Sequence, residues 1–351
     1  MTEKHTITIY DIAREAKVST ATVSRVITHS ASVSAEKRER VEKLIRRYNF
    51  RPNALAKGLS KTHSRLIGML CPDVRNPYYA GLFMACEREA YELGYTLILS
   101  NTFTREELEI AFLDKMTEQR VEAILICGGL IDRVVLPARY SEALRRTAQR
   151  VPVIVAGQTT MPGCSQICLD HADGMRQVLR HLAGQGHRRI AFIYAGTDVF
   201  LTLIKRQAFL DGILELGLPA REEYLPAVGH FNEVCGAEAM EKLLALPKPP
   251  TAVIGINDLV AAGALRCALD KGLRVPQDCA LVGFDDSYVS NLSVPRLTSI
   301  SYDDEEYGRR LVQLALEKID GSGEPLRAMQ PVHLAVKASS DYLSANVQNG
   351  D

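Results

Sequence analysis

No stretch of this chain approaches the roughly 20 continuous apolar residues that a membrane-spanning helix needs. The N-terminus also lacks the apolar core and small-residue cleavage site of a secretory signal, so a cytoplasmic protein with no membrane partner is expected. The eight cysteines (Cys71, Cys86, Cys127, Cys164, Cys168, Cys235, Cys267 and Cys279) form no CxxC pair and no Cys/His ligand spacing. Reduced core thiols, not a zinc site or a disulfide framework, are therefore expected. No GxGxxG follows a first apolar run, no phosphate-binding P-loop occurs, and no catalytic triad is evident. Enzyme activity, a cofactor and a bound metal are not expected.

Net charge is missing too, at 42 Lys and Arg against 42 Asp and Glu, but the balance hides an asymmetry. Residues 1–65 hold 14 basic against 6 acidic side chains, and the remainder holds 28 against 36. Positive charge gathered on a short segment is the footprint of a phosphate-binding module, although a solvated basic face would look the same.

Within that basic segment three short helices are legible. Thr8 with Asp11 forms a capping box that starts a helix at Ile9 and puts Ile9, Ile12, Ala13 and Ala16 on one face. After Lys17-Val18, Ser19 or Thr20 can cap a second helix, with Val23, Val26, Ile27 and in part Ala21 on its apolar side. Thr20, Thr22, Ser24 and Arg25 occupy the other side. A third helix from about Ser34 turns Val41, Leu44, Ile45 and Tyr48 inward. Two short helices joined by a tight turn, the second presenting hydroxyls and one Arg, make a helix-turn-helix.

From Arg65 the pattern changes to short apolar runs alternating with amphipathic helices. Runs at 66–70, 96–99, 123–126 and 153–155 form one series, and runs at 190–193, 252–256 and 280–284 a second. Repeated βα units with apolar strands imply parallel sheets covered on both faces, so two series imply two Rossmann-like lobes. The predicted fold class is thus α/β, two Rossmann-like lobes preceded by a small all-α helix-turn-helix domain. Ligands of such sheets sit beyond the carboxyl ends of the strands, which places a cleft among the loops that follow these runs.

The ordered series of motifs resembles the LacI family of bacterial transcriptional regulators, whose body has a periplasmic-binding-protein-like fold. The carrying residues are TIYDIAREA at 8–16, VSTATVSRVI at 18–27, RPNALA at 51–56, NPYY at 76–79, Asn257-Asp258, VPQD at 275–278, GFDD at 283–286 and PRLT at 295–298. The resemblance covers about residues 8 to 341. It implies a head at 1–50, a hinge at 51–62, an effector-binding and dimerisation domain at 63–341, and a tail at 342–351. The first lobe is placed at about 63–162 and 293–323, the second at about 163–291 and 326–341.

Site residues follow from the same likeness. Thr20, Ala21 and Arg25 are placed at base edges of operator DNA. Arg can donate bidentately to guanine, whereas a phosphate contact is the competing reading of Arg25. Tyr10, Thr22 and Ser24 are assigned to phosphates. Asn53, Ala56, Lys57 and Leu59 belong to a segment expected to fold as a hinge helix on DNA, with Leu59 entering the minor groove. A plain linker is the alternative. Lys17 stands where the family usually has Gly and would need a left-handed backbone. Tyr78, Tyr79, Thr202, Arg206, Phe231, Asn257 and Asp285 match the usual effector contacts. Asn257 can equally be a helix N-cap, Asp285 a cap after its strand, and Tyr79 simple core. Near Gly157-Gln158 the family often supplies a carboxylate to a sugar, and this chain does not. Lys337 stands where an Arg is usual.

Donors and acceptors on Arg206, Asn257 and Asp285, with aromatic walls, point toward a sugar or sugar derivative, and a purine effector is the alternative. The function implied is a repressor of a carbohydrate-utilisation operon that binds a pseudo-palindromic operator as a homodimer, its affinity set by the effector. The residues from Ala345 onward carry no leucine heptads, which argues against a tetramerising coiled coil. A free sugar-binding transport protein is the rival reading from residue 65 onward. His187-Arg188-Arg189 resembles a catalytic cluster in isolation and is read as structural.

Overall fold

The computed structural model describes residues 7–27, 33–50, 63–196, 198–321 and 323–341. These fall into two units divided between Ser64 and Arg65. The first unit contains α1 (Ile9–Glu15), α2 (Thr20–Ile27) and α3 (Ala35–Arg47). The capping box forms as expected, with Thr8 N–H donating to Asp11 Oδ2 at 3.0 Å and Asp11 N–H to Thr8 Oγ1 at 3.4 Å. Ser19 is the residue that caps α2, its hydroxyl accepting from Thr22 N–H at 3.2 Å. Between the helices Lys17 has φ +55°. It closes a Schellman turn in which Val18 N–H reaches Ala13 O at 3.0 Å and Lys17 N–H reaches Arg14 O at 3.2 Å. Ile12, Ala13, Ala16, Val23, Val26 and Val41 form the buried core. Tyr48, at the end of α3, donates its hydroxyl to Glu15 Oε2 of α1 at 2.8 Å.

The second unit contains two six-stranded sheets. All seven apolar runs become strands: β1 (Leu66–Cys71), β2 (Thr96–Asn101), β3 (Ala123–Ile126), β4 (Val153–Ala156), β6 (Ile190–Ala195), β8 (Ala252–Gly255) and β9 (Ala280–Phe284). Five short strands join them: β5 (Ser165–Leu169), β7 (Ala227–Val228), β10 (Thr298–Ser301), β11 (Arg327–Gln330) and β12 (His333–Ala335). The first sheet runs β11-β5-β4-β3-β1-β2, the second β12-β10-β9-β8-β6-β7. Every pairing is parallel except β10 with β12. The central strands β3, β4, β8 and β9 are apolar and wholly buried, as helix-covered parallel sheets require. No helix among the described residues is long and apolar enough to cross a membrane.

Strand pairing corrects the lobe boundaries. Ser165–Leu169, expected in the second lobe, pairs with β4 in the first sheet. Thr298–Ser301, expected in the first, pairs with β9 in the second. Arg327–Gln330 returns to the first sheet beside β5, and His333–Ala335 ends in the second. A strand of four residues satisfies its ladder equally well on either sheet edge, so its partner is set by the path of the chain and not by its own composition.

The chain therefore passes between the lobes three times, after β5, after β10 and after β11. At these crossings Asp170 N–H donates to Gln330 O at 3.0 Å. Tyr307, fully buried, donates its hydroxyl to Ile167 O at 2.8 Å. A separate contact joins the lobes directly. Arg133 and Val199 form an isolated antiparallel bridge, Val134 N–H donates to Asp198 O at 2.9 Å, and Arg133 Nε lies 3.5 Å from Asp198 Oδ2.

Candidate functional site

The head offers one surface of the expected chemistry. Buried Val23 and Val26 fix the inward face of α2. The opposite face is thereby turned outward: Ala21 and Arg25 are exposed, and Thr20, Thr22 and Ser24 are half-buried. Thr22 also shares its hydroxyl with Ser19 at 3.0 Å. Tyr10 on α1 is 73% exposed, so its hydroxyl is open to an outside partner. Asn53, Ala56, Lys57 and Leu59 lie outside the described residues, as does the tail from residue 342.

The body encloses a cavity of ≈ 810 Å³ between the lobes. Its walls come from the segments that follow β1, β2, β3, β4 and β5 on one side, and β6, β7, β8 and β9 on the other. This is the geometry expected for parallel sheets, where loops and helix starts gather at the strand carboxyl ends. Five of the seven effector candidates line it: Tyr78, Tyr79, Phe231, Asn257 and Asp285. Asn76-Pro77 sets the two tyrosines. Asn76 caps the helix Pro77–Glu92 (α4) by accepting from Tyr78 N–H at 3.1 Å, and the rings of Tyr78 and Tyr79 meet edge-on at 5.0 Å. Asn257 is a cap as well as a lining residue. It accepts from Val260 N–H at 2.9 Å and donates to Phe231 O at 3.2 Å.

Thr202 and Arg206 do not reach the cavity. Both sit on α5, the helix Phe200–Glu215, whose cavity face is Leu201, Ile204 and Lys205. That face repeats at i, i+3, i+4, so the expected pair is out of phase by one residue, about 100° of helix. Thr202 is buried in the lobe, and the Arg206 guanidinium lies 5.7 Å from the Tyr194 ring. Lys205 takes the position instead. It is 1% exposed, donates to Ile256 O at 2.8 Å and stands 3.9 Å over the Phe284 ring.

Lys205 and Asp285 are charge partners in the second lobe. Burial lowers the Lys205 ammonium and raises the Asp285 carboxyl, while each charge pulls the other back toward ionisation. Asp285 is held at φ +100° and Asp286 at +48°, backbone conformations that L residues rarely adopt. Asp258, beneath them, accepts from Ser299 Oγ at 2.6 Å, Ser287 N at 2.7 Å and Ser287 Oγ at 2.9 Å. Lys337 does not line the cavity; it pairs with Asp286 and donates to Ser290 Oγ at 2.7 Å. His171 is kept neutral by burial and by the neighbouring Lys205 charge.

On the first-lobe side the carboxylate beside Gly157 comes from another loop, at Asp132. Asp73, Arg75, Phe103, Gln158 and His230 are further lining residues that the sequence did not single out. Their only signal was position, each following a strand. His187 and Arg189 serve the fold: His187 Nδ1 meets Thr251 Oγ1 at 3.0 Å, and Arg189 Nε donates to Pro249 O at 2.8 Å.

A helix-turn-helix head followed by two lobes around a ligand-sized cavity defines a ligand-responsive DNA-binding regulator. The model of the bacterial regulatory proteins of the lacI family matches residues 8–53, and that of a periplasmic binding protein-like domain matches residues 179–340. Catabolite control protein A of Priestia megaterium is 33% identical over 296 residues, 84% of this chain and 87% of the relative. The Lac repressor dimer bound to operator and the anti-inducer ONPF superposes with a TM-score of 0.83 at 26% identity, over 95% of this chain and 99% of that one. The regulator CelR in complex with cellobiose gives 0.71 at 27% identity, with the same coverages. The chain belongs to the lacI family of bacterial regulatory proteins and is a transcriptional regulator with a ligand-binding body.

Proposed function

We propose that this regulator represses a carbohydrate-utilisation operon by binding a pseudo-palindromic operator as a homodimer, with a sugar or sugar derivative in the interlobe cavity as its effector. The observation that carries the reading is the cavity itself, where aromatic walls from Tyr78, Tyr79 and Phe231 face a polar set from Asn257, Asp285 and Lys205. Rings that stack on apolar sugar faces, combined with convergent donors and acceptors, are the usual equipment for a polyol. The similar fold of CelR holds cellobiose, and the Lac repressor has been seen bound to ONPG. Thr20, Ala21 and Arg25 then read bases, Tyr10, Thr22 and Ser24 hold phosphates, and Asn53, Ala56, Lys57 and Leu59 act as the DNA-ordered hinge. Differential affinity of the effector for one interlobe arrangement would set the spacing of the two hinges and thereby operator affinity.

A thermal-shift screen of sugars, sugar acids, phosphosugars and nucleobases tests the effector class, because a ligand stabilises the state that binds it. A nucleobase raising the melting temperature while no sugar does would overturn it. For the head, Arg25→Ala is expected to relax base preference at one position of each half-site, a loss of about 1–3 kcal/mol of discrimination. A binding-site selection with unchanged preference would reassign Arg25 to phosphate.

A further inference from the structure

The cavity lining is not balanced in charge. Four acidic side chains, Asp73, Asp132, Glu233 and Asp285, face it against two basic ones, Arg75 and Lys205. Arg75 is committed to Asp73, with Nη2 2.7 Å from Oδ2, and Lys205 is the charge partner of Asp285. Asp132 differs. It ends the 3₁₀ turn Gly129–Asp132, and its Oδ1 is shielded from solvent with no hydrogen bond from any described residue. A second buried carboxylate lies close by. Glu109 accepts from Leu130 N–H of the same turn at 3.1 Å and from Thr102 Oγ1 at 3.2 Å. It is near enough that its charge, added to burial, pushes the Asp132 carboxyl up to about 7.

The surroundings make room for this carboxylate and do not satisfy it. Gly157 has φ +147°, and a Cβ there would stand 2.7 Å from Asp132 Oδ1. Any other residue at 157 would displace the acid from the cavity wall. A carboxylate oxygen shielded from water and left without a donor is costly to keep, so a position built to hold one points to a donor arriving from outside. With a second acid nearby, the partner that satisfies it best carries positive charge as well as N–H groups.

We propose that Asp132 reads the charge of the effector, which is a polyhydroxylated ligand carrying a protonated amine, as in an amino sugar, with the ammonium group on Asp132. This rests on the carbohydrate reading above and narrows it. Phosphosugars and sugar acids are disfavoured by the same unbalanced lining.

The test is titration calorimetry of the full-length protein at neutral pH against matched pairs: glucose and glucosamine, galactose and galactosamine, mannose and mannosamine. Glucose 6-phosphate, gluconate and a nucleobase, adenine, complete the set. In at least one pair the amine is expected to bind about ten-fold tighter or more than its hydroxyl twin, as a charge-assisted hydrogen bond allows. Asp132→Asn keeps the shape of the side chain and is expected to abolish that advantage while melting above the wild type without ligand. Hydroxyl twins binding as tightly as the amines, or an amine preference that survives Asp132→Asn, would overturn the inference and leave the carbohydrate reading standing. Failure of every sugar to bind, with a nucleobase binding instead, would remove both.

Discussion

Lys17 shows what a single backbone angle costs. The turn between α1 and α2 needs a left-handed residue, and the family's usual Gly is replaced by Lys at φ +55°. Left-handed backbone costs an L residue about 1–2 kcal/mol, so Lys17→Gly is expected to stabilise the head by roughly 1 kcal/mol. Denaturant unfolding of the head checks this, and equal midpoints would mean that the Lys side chain offsets the strain. Asp132 makes a pH-dependent contribution of known sign. Its carboxyl titrates near 3.8 when unperturbed and at about 7 in the fold, so the folded state binds the proton more tightly. Wild-type stability from this group is complete below about pH 4 and is lost as pH rises through 7. The melting temperature of Asp132→Asn should accordingly exceed that of the wild type by more at pH 8 than at pH 5. A gap that stays constant across that range would show that Asp132 does not titrate there.

At the level of helices and strands, the long periodic segments were legible and the phase of one of them was not. Thr8 and Asp11 announced α1, and the seven apolar runs announced seven strands. The rule that loops after parallel strands line the cleft also located the walls that follow those seven strands, though not the ones after β5 and β7. What could not be read was which of several polar residues on α5 faces inward. Lys205 and Arg206 are adjacent cations, and burial of Lys205 depends on Ile256 O and Phe284, residues about 50 and 80 positions away. Asp132 was missed for a related reason, because its setting depends on Gly157, which follows the neighbouring strand β4. The short strand Arg327–Gln330 reads as a polar tetrapeptide, and only its pairing with β5 makes it a strand.

Helix packing carries a further expectation. The helices Glu233–Leu244 (α6) and Asp258–Asp270 (α7) approach through two glycines. A Cβ on Gly236 would stand 2.1 Å from Val260 O, and one on Gly263 would stand 1.9 Å from Glu233 O. Gly263→Ala must therefore push apart two helices whose first turns and caps, at Asn232, Glu233 and Asn257, line the cavity. The expected cost is about 1–3 kcal/mol of stability, as overpacking usually exacts. Reduced effector-induced stabilisation should accompany it, read by thermal shift with and without ligand. Full retention of both would mean the helices adjust without moving their caps.

Across the whole second unit, three chain crossings join the lobes covalently, while the Arg133–Val199 bridge and its Asp198 contacts join them by weak bonds alone. Asp132, on the cavity wall, is the residue just before that bridge. Separating the lobes there breaks a main-chain hydrogen bond and an ion pair. The lifetime of those bonds is expected to act as a clock for exchange of any molecule gripped from both sides. In stopped-flow mixing, the observed association rate should level off at high ligand concentration, and the plateau should rise in Arg133→Ala. A rate that stays proportional to concentration would mean that the ligand enters without waiting for this edge to part. Where the clock is slow, the regulator averages over brief fluctuations in effector supply and responds to sustained ones, a filtering property set by a few bonds beside the cavity.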